Sequence, residues 1–217
     1  MENTEEQQES SFMKIIKTIW GWVWPALIAI GIVLVIKQFF IEPVHVSGTS
    51  MSPNLYDTEQ VFCFKKLVPI HRGSVICFNA YGVDPECKDP KRIYVKRVIG
   101  LPGDTVVSKN GNIYVNGKLA SQSYITPTQR NGSNTGNWDL AKLSVEHSWQ
   151  KNVEETKVPS GAYFCLGDNR AVSNDSRYFG DVPESHVLGV VKVFNFNSES
   201  THRDNINLFW KHFFEVD

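Results

Sequence analysis

The strongest pattern along the chain is a run without a single charge, Thr18 to Ile36 (TIWGWVWPALIAIGIVLVI), set between Lys17 and Lys37. A bilayer core takes about 20 apolar residues in helical form, so this run predicts a membrane-spanning helix over 18–36. Trp20, Trp22 and Trp24 crowd its N-terminal end, where indole rings favour the headgroup layer, and Pro25 follows at once. A core helix of a soluble protein keeps a polar stripe. A cleaved signal peptide has a shorter apolar region that ends in a small-x-small site, whereas here Lys37, Gln38, Phe39, Phe40 and Ile41 follow. The run therefore reads as a retained anchor. Lys14 and Lys17 on one flank against Lys37 on the other favour a cytoplasmic tail over 1–17 and an extracytoplasmic remainder over 37–217.

Beyond the anchor the period shortens. Val61 to Phe64, Val75 to Phe78, Ile93 to Ile99, Ala162 to Leu166 and Val187 to Phe196 are rich in β-branched and aromatic residues and predict strands. Asn110-Gly111, between Thr105-Val106-Val107 and Ile113-Tyr114-Val115, predicts a tight hairpin. Positions 121–157 break this pattern: they are polar, with a loop signal over Asn131 to Gly136 and a helical hint from Leu140 to Trp149. They read as an insertion into a mainly β body. The C-terminal aromatics Phe209, Trp210, Phe213 and Phe214 lie in a stretch too short to span, and either dock on that body or lie at an interface.

Composition narrows the function. The 217 residues suffice for a sizeable core. With Lys+Arg 22 against Asp+Glu 23 there is no basic field to hold nucleic acid. Cys63, Cys77, Cys87 and Cys165 form no C-x-x-C, so neither a zinc site nor thioredoxin-like chemistry is indicated. Three of them sit in apolar runs and read as small buried hydrophobes; an outward-facing domain also permits a disulfide, whose pairing stays open. The six histidines never approach a metal-binding spacing, and no metal or other cofactor is expected.

Three segments carry candidate chemistry: Val46-Ser47-Gly48-Thr49-Ser50-Met51-Ser52-Pro53, Tyr94-Val95-Lys96-Arg97-Val98-Ile99-Gly100-Leu101-Pro102-Gly103-Asp104, and Gly167-Asp168-Asn169-Arg170-Ala171-Val172-Ser173-Asn174-Asp175-Ser176-Arg177. Each has a plain structural reading of its own: a capped turn, a lysine that snorkels from a strand, and a polar loop closed by an ion pair. Together with the anchor, in this order, they resemble the bacterial type I signal peptidases, membrane-anchored serine proteases that remove signal peptides from exported proteins.

The resemblance implies a mainly β fold. A single N-terminal transmembrane helix is followed by an antiparallel β-sheet catalytic domain, its body over roughly 44–104 and 158–196, with an irregular inserted subdomain over roughly 105–157. It implies Ser50 as nucleophile and Lys96 as general base, a known alternative to Ser-His-Asp. Lys96 accepts a proton only when neutral, so apolar surroundings are expected to lower its pKa. By motif match Ser173 hydrogen-bonds and orients the lysine amine, Asp175 and Arg177 form a supporting ion pair, and Val46, Met51, Leu55, Tyr94 and Val95 line shallow pockets for small residues before the cut. The backbone N–H of Ser50 would meet the oxyanion; Gly48 stands where some members carry an assisting hydroxyl. Ala171-Val172 and Ser74 depart from the usual Asp-Asn and Asp of the family.

The expected partners are signal-peptide-bearing preproteins cut after Ala-x-Ala, the lipid bilayer of the plasma (inner) membrane, and, upstream, the export machinery; nucleic acid is not expected. Self-cleaving SOS-type repressors share Ser-Lys chemistry but lack an anchor. A silent, membrane-tethered module that only binds signal peptides is the remaining alternative.

Overall fold

The computed structural model describes residues 2–65, 68–130, 136–149, 155–194 and 200–208. The expected loop over 131–135, the end of the last strand run at 195–196 and the aromatics at 209–214 lie outside these residues. The chain divides after Ile41 into a helical unit and a β unit.

The helical unit is α1 (Glu2–Phe39), longer at both ends than the uncharged run that announced it. Its segment Lys17–Phe39 has a mean hydropathy of 2.3 and none of it is buried, with Trp22 79% exposed. By length and composition this helix can cross a bilayer.

The second unit holds β1 (Ile41–His45), β2 (Gln60–Phe64), β3 (Val75–Asn79), β4 (Ile93–Gly100), β5 (Val106–Lys109), β6 (Asn112–Val115) and β7 (Lys118–Leu119). Next come α2 (Pro127–Arg130), β8 (Trp138–Asp139), α3 (Leu140–Glu146), β9 (Ala162–Leu166) and α4 (Ser176–Phe179), then β10 (Val182–Pro183), β11 (Val187–Lys192) and α5 (Ser200–Ile206). Seven strands form one sheet in the order β1-β2-β11-β3-β4-β9-β10, with antiparallel ladders from β2 through to β10. The predicted strands are all present, because β-branched and aromatic residues pack well on a pleated, half-buried surface. The mainly β fold expected from the sequence is the fold observed.

The insertion departs from expectation. It is not simply irregular but contains a four-stranded antiparallel sheet, β7-β6-β5-β8. The Asn110-Gly111 turn closes β5 onto β6, with φ of 50° and 79° as a two-residue hairpin requires. Trp138, Leu140, Leu143 and Trp149 of the polar-looking stretch pack with Val106, Ile113 and Phe164 into a core that ties this sheet to the large one. Asp139 caps α3 by accepting from the Lys142 N–H at 2.8 Å. Sparse apolar residues thus suffice when they converge from two elements.

Cys63 and Cys77 form a disulfide rather than two buried thiols, while Cys165 is buried and free as expected. The two bonded residues lie on β2 and β3, opposite Val191 and Gly189 of the intervening β11, so only the strand order brings them together. Gly189 allows this closeness, since a Cβ there would strike the Phe64 carbonyl.

Candidate active site

Ser50 lies in the turn after β1, and Lys96 at the middle of β4, 46 residues later. The fold brings the Lys96 Nζ to 2.8 Å from the Ser50 Oγ. Lys96 is 4% exposed, and burial, which disfavours the ammonium, lowers its pKa to about 8 despite the opposing pull of Asp175 and Asp168. A neutral amine beside a hydroxyl at hydrogen-bond distance is the geometry a general base needs.

The loop after β9 covers this pair from one side. The Asn169 N–H donates to the Ser50 carbonyl at 3.0 Å and its side chain to the Thr49 carbonyl at 3.2 Å. Gly167 makes the approach possible: a Cβ there would lie 2.5 Å from the Ser173 Cβ and 2.6 Å from the Ser50 carbonyl oxygen. Ser173 is buried at the site, yet its hydroxyl has no hydrogen-bond partner among the described residues. The expected bond from Ser173 to the lysine amine is therefore not formed in this structure, where the amine is turned toward Ser50 instead.

Asp175 and Arg177 pair at 2.8 Å within the loop. Asp175 also accepts the Gly167 N–H at 2.9 Å and caps α4 through the Arg177 N–H. Burial alone would raise the Asp175 carboxyl, but the Arg177 guanidinium and these donors hold it below the usual carboxylate range.

A cavity of about 240 Å³ opens beside the pair, lined by Val46, Met51, Tyr94 and Val95 among the expected pocket residues. Leu55 is not in its lining. It is fully buried behind it, in a core cluster with Val46, Met51 and Val95. Arg92, Ile93, Val172 and Asn174 also line the cavity, a role the sequence did not suggest for them. The Gly48 N–H is committed to Asp57 Oδ1 at 2.8 Å.

One further pair escaped sequence reading. Arg97, next to Lys96, forms a bidentate bond to Asp168 at 2.8 and 2.7 Å, with both side chains fully buried. Asn54 donates to the same carboxylate at 2.8 Å, and Arg97 also reaches the Gly73 and Asn205 carbonyls. This network joins the serine turn, β4 and the covering loop. The residues stood in the quoted motifs, but nothing in their spacing shows that they pair. Among the described residues no group of His, Cys, Asp and Glu forms a candidate metal cluster.

Comparison with known proteins identifies the family. The family model for signal peptidases, peptidase S26, matches residues 19–196. Signal peptidase I of Bacillus amyloliquefaciens is 35% identical over 201 residues, covering 89% of this chain and 95% of that protein. Signal peptidase IB of Staphylococcus aureus (strain MRSA252) is 33% identical over 197 residues, covering 85% and 98%. The crystal structure of a signal peptidase I from Enterococcus faecalis V583 is 34% identical and covers 58% of this chain and 98% of that one, with a TM-score of 0.47. With most of the chain matched at this identity, it belongs to the signal peptidase family, peptidase S26, and is a serine endopeptidase acting on preproteins that bear signal peptides.

Proposed function

We propose that cleavage proceeds through a Ser50–Lys96 dyad and an acyl-enzyme. The Ser50 Oγ attacks the carbonyl carbon of the last signal-peptide residue while its proton passes to the neutral Lys96 amine. The Ser50 backbone N–H faces the oxyanion that develops. The C–N bond then breaks, the Lys96 proton goes to the departing amine, and the signal peptide remains as an ester on Ser50. Water, giving a proton to Lys96, attacks that ester; the C–O bond to Ser50 breaks, and the Lys96 proton passes to the Ser50 Oγ, restoring the hydroxyl and the neutral amine. The observation that carries this reading is the 2.8 Å contact of a buried amine with the Ser50 hydroxyl.

Val46, Met51, Tyr94 and Val95 form the shallow apolar walls that accept small side chains before the cut, which a wall rejects by clash when they are large. Asp175 and Arg177 hold the loop that covers the dyad, and Ser173, buried in that loop with its hydroxyl uncommitted, orients the Lys96 amine when that amine turns from Ser50. The helix over 18–36 anchors the enzyme in the plasma (inner) membrane with 1–17 in the cytoplasm and 37–217 outside, and the Cys63–Cys77 disulfide suits that compartment. Anchoring raises the effective concentration of a preprotein emerging from the export machinery.

The pH profile tests the dyad. Lys96 serves as base only above its own pKa, so kcat/KM rises with pH through about 8 and then levels. A limb at the ordinary lysine value of 10.5, or no limb at all, contradicts the assignment.

A further inference from the structure

Asp84, in the connection from β3 to β4, is only 3% exposed and forms no ion pair among the described residues. Its Oδ2 accepts from the Tyr94 hydroxyl at 2.9 Å and from the Asn174 Nδ2 at 2.8 Å, and its Oδ1 accepts the Glu86 N–H at 2.9 Å. One carboxylate oxygen thus ties two segments that flank the site. Tyr94 stands two residues before Lys96 on β4, on the same face of the strand, with the Lys96 Nζ 5.3 Å from its ring centroid. Asn174 lies between Ser173 and Asp175. Both Tyr94 and Asn174 line the cavity beside the dyad. Phe78 and Phe179 hold the Tyr94 ring from other directions, at 5.9 and 6.3 Å between centroids.

We propose that Asp84 is a positioning residue for catalysis: by holding the Tyr94 hydroxyl and the Asn174 amide on one oxygen, it clasps β4 to the loop after β9 and keeps the Tyr94 ring as a wall that shuts water from the Lys96 amine. The inference rests on the reading of Lys96 as the base. Burial is the largest influence on that amine, ahead of Asp175, Cys165, Asp168 and Arg177, the charged and titratable groups that act on it from β9, the covering loop and α4. Whatever seals the amine therefore sets its readiness to take a proton. Burial and the bond to Asp84 also push the Tyr94 hydroxyl up to about 12, so it remains a donor to Asp84 across the working range.

The test uses the full chain in detergent micelles with an Ala-x-Ala preprotein, comparing wild type with Asp84→Ala, Asp84→Asn and Tyr94→Phe. An asparagine oxygen can still accept from Tyr94 and Asn174, though its amide gives up the Glu86 N–H, whereas alanine accepts from none of the three. Asp84→Ala is expected to lower kcat about tenfold and to move the acid limb up by roughly one pH unit as water reaches Lys96. Asp84→Asn stays within about threefold of wild type, Tyr94→Phe moves the limb in the same direction as Asp84→Ala, and the double variant Asp84→Ala/Tyr94→Phe is no worse than the poorer single variant. An unmoved limb in Tyr94→Phe or in folded Asp84→Ala, or single effects that multiply, overturns the clasp. Lys96→Ala is run alongside. If it cleaves like wild type, the dyad reading fails and takes this inference with it; if it is inactive while the limb stays put, only the clasp fails.

Discussion

Ser50→Ala and Lys96→Ala each lower kcat for preprotein cleavage by about 10⁴-fold or more, with little change in the affinity for substrate. The two effects do not add. Removing the hydroxyl leaves no nucleophile for the amine to activate, and removing the amine leaves a hydroxyl whose proton has nowhere to go, so the double variant performs like either single one. This follows from their 2.8 Å contact and from the burial of Lys96, which restricts access for a substitute base from solvent. Lys96→Arg fares no better than alanine, since a guanidinium keeps its proton at any working pH. Steady-state kinetics on the full chain in detergent, with circular dichroism to show that each variant is folded, provides the check.

Asp168→Ala destabilises the protein by about 3–5 kcal/mol, seen as a fall in Tm of roughly 6–20 °C for a chain of this size. The substitution leaves the Arg97 guanidinium buried with no counter-charge, since both side chains are fully enclosed. Asn54 loses an acceptor in the same step. Asp104→Ala also removes the acceptor of the Leu101 N–H and the Asn116 amide, but the Arg72 side chain it deprives of a carboxylate is 23% exposed and can reach water, so it costs less than Asp168→Ala. Thermal unfolding of the two variants in parallel measures the difference. Activity falls with Asp168→Ala as well, because the lost carboxylate joins the serine turn, β4 and the loop after β9.

The sequence made the local features legible and left the long-range ones hidden. The apolar run of α1, the β-branched strands and the Asn110-Gly111 turn are written in short windows whose periods differ physically, and each is where the pattern put it. Ser50 and Lys96 stand in recognisable motifs, and only the fold brings them together across 46 positions. Of the inserted sheet only the β5–β6 hairpin is legible, because β8 is two residues long and the core beneath it is assembled from Trp138, Leu143 and Trp149 together with strands far away. Leu55 and Val46 belong to one apolar cluster, and nothing local shows that Val46 lines the cavity while Leu55 backs it. The Cys63–Cys77 bond depends on β11 lying between β2 and β3, and the Asp84 clasp depends on a loop folding back over β4. Such contacts are properties of topology, which a single window cannot contain.

If Ser50, activated by Lys96, cuts a preprotein directly after its small-x-small site, the N-terminus of the released product carries the proof. The most direct test incubates the full chain in detergent with a preprotein carrying an Ala-x-Ala site and determines the new N-terminus by mass spectrometry. Wild type is expected to give one product beginning at the residue after the second alanine, and Ser50→Ala and Lys96→Ala to give none. An inert wild type, or the same product from Ser50→Ala, would contradict it and leave a module that binds signal peptides or cuts them by another group.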